Sequence, residues 1–372
     1  MTKKLGLGCM RLPLLDPENP RSIDKEQLNQ MVDMLIEKGF TYFDTAYMYH
    51  KYYSELFMKE ALVQRHSRSS FTLTDKLPLY YIKEQSDCER IFNEQLEKCG
   101  VEYFDYYWLH NIKTDTYETV KKFNCFDFIQ DKKDKGLVKH IGFSFHDSPE
   151  LLDKILTKNP QVEFVQLQLN YIDWDNPTIQ SRKCYEVARK HGKEIIVMEP
   201  IKGGTLAKLP KEAEDILKAV RPDMSIASWA IRFVASLPGI KMVLSGMSNM
   251  EQLMDNISYM ENFEPLSKKE LAAIGEVIDI INKHTAIPCT SCRYCVDGCP
   301  MNIPIPEYFT LYNSEEFALN KDFSIHAAYY DNLIEKYGKA SACIECGQCE
   351  SACPQHLPIR DYLKKVANAF EN

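Results

Sequence analysis

A cysteine pattern that occurs twice near the C-terminal end of the sequence constrains the fold most strongly. The first copy comprises Cys289, Cys292, Cys295 and Cys299, the second comprises Cys343, Cys346, Cys349 and Cys353, and a proline follows the last cysteine of each. Three cysteines at this spacing can bind three corners of a cubane, and a fourth cysteine followed by proline reaches a different iron. The repeat therefore predicts two 4Fe-4S clusters.

The spacing also predicts how the ligands are shared. In two-cluster proteins with this pattern the fourth cysteine usually binds the other cluster. The expected ligand sets are then Cys289, Cys292, Cys295 and Cys353 for one cluster, and Cys343, Cys346, Cys349 and Cys299 for the other. Two structural zinc sites are the alternative, because four thiolates also suit tetrahedral zinc. Zinc ribbons usually place two CxxC pairs well apart, so the third closely spaced cysteine favours clusters.

The similarity between the two copies continues beyond the cysteines. Each copy leaves its last cysteine through an extended segment, Ile303–Ile305 or Leu357–Ile359, and then enters a helix that has an acidic residue near its start. The stretch between the two copies, residues 300–342, is expected to be largely helical. Residues 285–372 are therefore predicted to form a small, mainly α-helical domain, which residues 266–284 connect to the preceding part as a helix.

Residues 1–265 show a regular alternation of strand and helix patterns. The predicted strands are 5–9, 41–44, 71–74, 103–109, 138–143, 164–169, 194–198 and 242–244. The predicted helices are 24–38, 54–64, 86–99, 116–135, 149–158, 178–191, 225–236 and 250–260. Strict alternation predicts a parallel α/β fold, and eight units are what a closed (β/α)8 TIM barrel needs. An open doubly wound sheet is the alternative, but a GxGxxG sequence is absent after the first strand.

The length and the net charge of the chain limit which domains it can form and which molecules it can bind. The chain has 372 residues, enough for one large barrel and an added module, and a net charge of −8 without a basic tract. This charge argues against binding to nucleic acid or to anionic membranes. The sequence has neither a signal-peptide pattern near Met1 nor an apolar run of membrane-spanning length. Reduced thiolates imply a reducing compartment, so a cytoplasmic location is expected.

Four polar residues follow the second, third and fourth predicted strands. Asp44 and Tyr49 come after the second strand, Lys76 after the third and His110 after the fourth. In TIM barrels the chemistry takes place at these strand ends. A lysine lowers the pKa of a neighbouring tyrosine, and an aspartate keeps that lysine charged and in place. Each residue alone is as easily a cap, a packing residue or a solvated charge, but together they predict a proton donor beside a substrate-orienting histidine.

Several segments resemble the aldo-keto reductases. They are 5–12 (LGLGCMRL), 43–49 (FDTAYMY), 74–76 (TDK), 108–110 (WLH) and 141–144 (IGFS), and the resemblance covers roughly residues 1–265. It implies a (β/α)8 barrel that binds a nicotinamide nucleotide and transfers hydride between this nucleotide and a carbonyl or alcohol substrate. By matching positions, Tyr49 would be the general acid and base, Lys76 and Asp44 would adjust the pKa of Tyr49, and His110 would orient the substrate.

The resemblance also implies residues that contact the nucleotide. They are Ser144 and Gln166 for the carboxamide, and Ser245, Gly246, Ser248, Gln252 and Asn256 in the loop and helix after the last strand. Two positions depart from the family, because Phe145 replaces the usual asparagine and Met198 replaces a tyrosine that stacks on the nicotinamide. No Lys or Arg stands at Gly246 or Gln252 to bind a 2′-phosphate. The cofactor is therefore expected to be NAD(H) or NADP(H), and the sequence does not indicate a preference for NADP(H).

The fused arrangement resembles a subgroup of aldo-keto reductases that carry a C-terminal two-cluster ferredoxin domain of the α-helical type. It implies an oxidoreductase that acts on a small carbonyl or alcohol and whose clusters serve a one-electron carrier or a flavoprotein. Clusters transfer single electrons whereas nicotinamide accepts a hydride, so direct coupling requires a flavin or a substrate radical. The alternative is an electron-transfer or complex subunit whose barrel is a docking scaffold.

Overall fold

A computed structural model describes residues 3–175, 179–316 and 325–371. Among these residues, eight parallel strands pair in chain order and close into a barrel. The strands are β1 Leu5–Gly8, β2 Tyr42–Asp44, β3 Thr72–Pro78, β4 Phe104–Ile112, β5 Val138–Phe145, β6 Phe164–Gln168, β7 Glu194–Met198 and β8 Ile240–Ser245. The predicted (β/α)8 barrel is therefore confirmed, and the open doubly wound sheet is excluded.

Helices follow the strands of the barrel and continue into the C-terminal region. Within residues 25–260 they are α1 Lys25–Glu37, α2 Ser54–Met58, α3 Gln85–Cys99, α4 Thr114–Lys122, α5 Cys125–Asp134, α6 Pro149–Lys158, α7 Ser181–Lys190, α8 Lys211–Val220, α9 Ile226–Ser236 and α10 Met250–Met260. Beyond them are α11 Lys268–His284, α12 Ile305–Glu316, α13 Ile325–Ile334, α14 Gln348–Ala352 and α15 Ile359–Phe370. None of the described helices is both long enough and apolar enough to span a lipid bilayer.

Side chains fill the barrel interior and determine what lies at its C-terminal mouth. A buried interior cluster consists of Tyr42, Tyr106, Trp108, Phe164, Ile196, Met242 and Leu244. Successive side chains of a strand point to opposite faces, so residues two positions further along face the same interior. Asp44, His110 and Gln166 each lie two positions beyond a member of this cluster. They are therefore directed towards the barrel mouth, where TIM barrels carry their active sites.

Several elements differ from the sequence prediction. The third and fourth strands extend further than predicted, so Lys76 and His110 lie within β3 and β4. The single helix predicted at 116–135 is wrong, because Asn124 adopts a left-handed φ of 46° and separates α4 from α5. Helix α8 was not predicted. The sixth predicted helix corresponds to α7, and its predicted start at Thr178 lies outside the described residues.

The described chain divides into two compact units. The first comprises 3–175, 180–201 and 227–267, and the second comprises 179, 202–226, 268–316 and 325–371. The second unit thus includes α8 and the turn before it, which the sequence analysis placed within residues 1–265. Its apolar core contains Tyr308, Phe309, Tyr330, Leu363 and Val366. The C-terminal region is mainly helical, as expected, although residues 317–324 of the spacer lie outside the described residues.

Candidate active site and cysteine-lined cavities

A buried ion pair between β2 and β3 forms the centre of the candidate active site. Lys76 donates from Nζ to Asp44 Oδ1 at 2.8 Å and to the carbonyl oxygen of Thr45 at 2.6 Å. The other Asp44 oxygen, Oδ2, accepts a hydrogen bond from Thr74 Oγ1 at 2.8 Å. The Lys76 side chain is 0% exposed and that of Asp44 is 4% exposed. Each charge compensates the other, because an unpaired charge at this depth is strongly unfavourable.

Tyr49 and His110 lie beside this ion pair. The Lys76 ammonium is 4.9 Å from the centroid of the Tyr49 ring and 4.9 Å from that of the Trp108 ring. The rings of Tyr49 and His110 have centroids 6.2 Å apart and meet edge to face at 83°. His110 Nδ1 is buried and has no hydrogen-bond partner within the described residues. The structure thus places all four predicted residues together at the barrel mouth.

The pKa values of this group are dominated by burial. Burial lowers the pKa of His110 well below its usual value, and the nearby charge of Lys76 acts in the same direction, so the imidazole is neutral. Burial raises the pKa of Tyr49 well above 10, and the charges of Asp44 and Glu199 raise it further. Burial therefore outweighs any lowering of the pKa of Tyr49 by the Lys76 charge. The ammonium faces the Tyr49 ring, and its hydrogen bonds go to Asp44 and Thr45.

Behind the active site, on the outer face of β3, two carboxyl groups lie out of contact with water. Glu55 and Asp75 are both 0% exposed, and Glu55 Oε2 is 3.4 Å from Lys98 Nζ. Burial and the charge of Asp75 raise the pKa of Glu55 to about 10, and burial raises the pKa of Asp75 to about 7. Asp75 Oδ1 accepts a hydrogen bond from the backbone N–H of Lys76 at 2.8 Å. The pair thus carries a proton near neutral pH and contacts the backbone of Lys76.

The two predicted carboxamide residues lie side by side at the ends of neighbouring strands. Ser144 in β5 pairs in register with Gln166 in β6. Ser144 Oγ accepts a hydrogen bond from the backbone N–H of Asn111 at 2.7 Å. Gln166 is 4% exposed. This arrangement fits a nicotinamide carboxamide, because an amide can both donate to and accept from another amide.

The residues predicted in the loop and helix after β8 divide into two groups. Ser245 and Asn256 are buried, and Asn256 Nδ2 donates to Ser245 Oγ at 2.7 Å. Gly246 and Gln252 are exposed, and Gln252 Oε1 accepts a hydrogen bond from the backbone N–H of Ser248 at 2.8 Å. The buried pair therefore holds the loop in shape, and the other three residues form its surface.

An ion pair that the sequence analysis missed lies next to this loop. Arg11 Nη1 is 3.7 Å from Glu199 Oε1, and a Cβ added to Gly246 would lie 3.4 Å from Arg11 Cβ. Glu199 has a left-handed φ of 55°, and its Oε2 is buried without a partner within the described residues. Arg11 belongs to segment 5–12 of the family resemblance, but nothing in the sequence pairs it with Glu199.

The eight motif cysteines surround two separate cavities. One has an empty volume of about 300 Å³ and is lined by Cys289, Cys292, Cys295 and Cys353. The other has an empty volume of about 310 Å³ and is lined by Cys299, Cys343, Cys346 and Cys349. We call them the first and the second cavity. Each contains three cysteines of one copy and the fourth cysteine of the other.

The cavities fit a cluster better than a single ion. All eight thiols are free of disulfide bonds. In the part of the chain that the structure describes, no three Cys, His, Asp or Glu side chains converge closely enough to hold one metal ion. Apolar residues complete the walls, for example Phe309 and Ile359 in the first cavity and Met301 and Leu363 in the second. Thiols around an apolar space of this kind are typical of 4Fe-4S sites.

Two sequence families match this chain. The profile of the aldo/keto reductase family matches residues 4–279, about three quarters of the sequence. The chain belongs to the aldo/keto reductase family. The profile of the 4Fe-4S dicluster domain matches residues 288–357, which contain both cysteine motifs.

Relatives of this aldo/keto reductase cover the barrel part. The uncharacterized oxidoreductase YqkF of Bacillus subtilis is 21% identical over 303 residues, which are 73% of this chain and 91% of YqkF. The aldo-keto reductase AKR11C1 from Bacillus halodurans, in its holo form, has a TM-score of 0.58, 21% identity and coverage of 74% of this chain and 91% of its own. An aldo-keto reductase from Klebsiella pneumoniae in complex with NADPH has a TM-score of 0.56, 17% identity and coverage of 74% and 90%.

Family membership makes this aldo/keto reductase an oxidoreductase that carries a 4Fe-4S dicluster domain. At these levels of identity the solved structures establish the fold, and the roles of individual residues rest on the geometry of this chain. The sequence analysis predicted Asp44, Tyr49, Lys76 and His110 as site residues, and the structure brings these four side chains together. It missed Glu55 and the Arg11–Glu199 pair, because their neighbours are distant in the sequence and only the closed barrel brings them together.

Proposed function

We propose that the barrel interconverts a small carbonyl compound and its alcohol with a nicotinamide nucleotide as the hydride carrier. Tyr49 supplies the proton to the developing alkoxide or removes it from the alcohol. The neutral His110 donates a hydrogen bond to the same oxygen. The buried Lys76–Asp44 pair supports this proposal most strongly, because it holds a positive charge 4.9 Å from the centroid of the Tyr49 ring. That charge favours the phenolate that forms when the proton leaves.

The raised pKa of Tyr49 is consistent with a role as proton donor. In the protein without ligands the phenol stays protonated, so the proton is present when a carbonyl compound binds. A hydride that reaches the carbonyl carbon creates negative charge on the oxygen, and transfer of the phenolic proton neutralises it. The Lys76 charge then stabilises the tyrosinate, and proton exchange with solvent restores the phenol.

The nicotinamide nucleotide, when bound, would supply or accept the hydride. We infer that Ser144 and Gln166 hold the carboxamide and thereby fix which face of the ring points to the substrate. Ser245 and Asn256 would shape the loop whose surface, Gly246, Ser248 and Gln252, faces the adenosine half of the nucleotide. None of the three provides a cation for a 2′-phosphate, so the proposal covers both NAD(H) and NADP(H).

We also propose that the C-terminal unit holds two 4Fe-4S clusters with crossed ligand sets. The first cavity would use Cys353 with the three cysteines of the first motif, and the second would use Cys299 with those of the second motif. The lining of the two cavities supports this assignment. A one-electron carrier or a flavoprotein is the partner that clusters of this kind require, and reduced thiolates suit a reducing, cytoplasmic setting.

Substitution of Tyr49 tests the barrel chemistry. We expect Tyr49→Phe to lower kcat for aldehydes and ketones by about 10²–10⁴-fold with either nucleotide, because a positioned acid contributes about that much. Tyr47→Phe is the matched control, since Tyr47 lies two residues away and its hydroxyl bonds Glu94 at 3.1 Å. Steady-state assays with a panel of carbonyl compounds measure the effect. Equal turnover in the wild type and Tyr49→Phe would show that another group supplies the proton.

A further inference from the structure

The surroundings of the two cysteine-lined cavities differ in polarity. The walls of the first cavity include Thr290, Arg293 and Gln355. Those of the second cavity contain, besides its cysteines, Pro300, Met301, Ile303, Ile305, Ile344, Gly347 and Leu363. Polar side chains therefore line only the first cavity among the described residues.

Two buried hydrogen-bond donors at the first cavity lack partners among the residues that the structure describes. Thr290 is 1% exposed and Gln355 is 2% exposed. Thr290 Oγ1 and Gln355 Nε2 are buried, and neither has a hydrogen-bond partner within the described residues. A buried donor left in this way is costly unless it is satisfied by a group that the cavity binds. The sulfur atoms of a cluster are acceptors of the required kind.

A buried cation is attached to the same wall. Lys202 is 3% exposed, and its Nζ lies 3.4 Å from Gln355 Oε1. Arg293, which also lines the first cavity, pairs with Glu307. Lys202 therefore adds positive potential at the first cavity, in a low-dielectric environment where such a charge acts strongly.

The backbone at Lys202 and Gly203 lies very close to the backbone of Thr290. Lys202 and Gly203 both have left-handed φ angles, 49° and 66°. A Cβ added to Gly203 would lie 1.7 Å from the carbonyl oxygen of Thr290, so only glycine allows the two segments to approach this closely. The turn thus holds Lys202 against the loop between Cys289 and Cys292.

We propose that Lys202, Gln355 and Thr290 form a donor set that stabilises an added electron at the first cavity, so that the cluster bound there is the more easily reduced of the two. The proposal rests on the two-cluster assignment above. Hydrogen bonds to sulfur and nearby positive charge raise the reduction potential of a cluster, because reduction adds one negative charge. The apolar second cavity has no such donors among its described side chains and favours the oxidised form.

The test is an anaerobic redox titration of the full-length, iron-reconstituted protein, followed by electron paramagnetic resonance. A content of about eight iron atoms per chain must be measured first, because a lower content contradicts the two-cluster assignment itself and not the donor set. The wild type is expected to show two midpoint potentials. In Cys346→Ser, which removes a ligand of the second cavity, the surviving signal should be the one with the higher potential.

Lys202→Met should make reduction at the higher potential about tenfold less favourable, about 59 mV for one electron, and leave the lower potential unchanged. Lys208→Met is the matched control, since Lys208 is an exposed lysine of the same segment, and it should alter neither potential. Lys202→Arg should restore part of the shift. If Lys202→Met does not retain its iron, the isosteric Thr290→Val, which removes one donor, should shift the same potential in the same direction.

The proposal is overturned if these variants keep their iron and leave the higher potential in place. It is equally overturned if both potentials move together, because a local donor set acts on one cluster. It also fails if the signal that survives in Cys346→Ser is the one with the lower potential.

Discussion

Lys76 shows how single side chains determine the chemistry of this barrel. Its ammonium group lies inside the barrel with Asp44 and the carbonyl oxygen of Thr45 as hydrogen-bond partners and two aromatic rings close by. Removing one member of a buried ion pair leaves the other charge uncompensated, at a cost of about 3–5 kcal/mol. The same pair that is proposed to tune Tyr49 therefore also contributes to stability.

Lys76→Met should lower the free energy of unfolding by about 3–5 kcal/mol, because Asp44 loses its compensating charge. The double variant Asp44→Asn with Lys76→Met should cost less than the sum of the two single variants, since no charge is then left unpaired. Urea denaturation of the three variants measures both quantities. Additive effects would show that the two groups do not interact.

The Glu55–Asp75 pair predicts a dependence of stability on pH. Burial raises the pKa values of both carboxyl groups, to about 10 for Glu55 and about 7 for Asp75, above the ordinary values of 4.5 and 3.8. Above about pH 4 the folded protein thus binds more protons than the unfolded chain, up to about pH 7 at Asp75 and up to about pH 10 at Glu55. Its stability should then fall as the pH rises, by up to about 1.4 kcal/mol per pH unit for each proton.

Glu55→Gln should reduce this dependence, because the variant has no carboxyl group to protonate at position 55 and relieves the charge repulsion on Asp75. Urea midpoints at pH 5, 6, 7 and 8 give the slopes. Glu60→Gln is the control, since the Glu60 side chain is 51% exposed and pairs with Lys25 on the surface. Parallel curves for the wild type and Glu55→Gln would contradict the assignment of the raised pKa values.

At the scale of elements, the turn that contains Gly203 and Gly204 contacts the first cysteine motif at Thr290. Gly203 and Gly204 both have positive φ angles, 66° and 103°. A Cβ on Gly203 would collide with the carbonyl oxygen of Thr290, whereas a Cβ on Gly204 would meet nothing within 4 Å. A substitution at either glycine would strain the backbone, but only a substitution at Gly203 would also collide with Thr290.

Gly203→Ala should therefore displace the loop between Cys289 and Cys292 and lower the iron content of the purified protein. Gly204→Ala carries the strain of its backbone, about 1 kcal/mol, and should keep its iron. Iron analysis and the visible absorption of the clusters compare the two variants. Equal loss of iron in both would mean that strain in the turn, and not contact with Thr290, determines assembly.

The sequence predicted elements well where their periodicity is strong and poorly where one residue changes the backbone. The strand at 194–198 and the helices at 149–158 and 250–260 have the predicted bounds, because apolar periodicity and clear end signals coincide there. The helix predicted at 116–135 breaks at Asn124, since asparagine accepts a left-handed φ without any change in the hydrophobic pattern. Contacts such as Gly203 with Thr290 join segments far apart in the sequence and have no local signature.

At the scale of the whole molecule, the proposed crossed ligand sets would make each cluster depend on both copies of the motif. Cys353→Ser should remove the same cluster as Cys289→Ser, and the spectra of these two variants should match. They should differ from the spectrum of Cys346→Ser, which affects the other cluster. Electron paramagnetic resonance of the reduced proteins distinguishes the cases. A spectrum of Cys353→Ser that matches Cys346→Ser instead would show that each motif binds its own cluster.

The most direct measurement for the whole account is an anaerobic titration of the iron-replete protein with NADH and, separately, NADPH. Nucleotide fluorescence reports binding, and visible and electron paramagnetic resonance spectra report the clusters. We expect saturable binding of at least one nucleotide with the clusters remaining oxidised, because hydride transfer does not reduce a one-electron centre without a flavin. Failure of both nucleotides to bind would contradict the proposed reductase and would favour a barrel that is a docking scaffold for an electron-transfer complex.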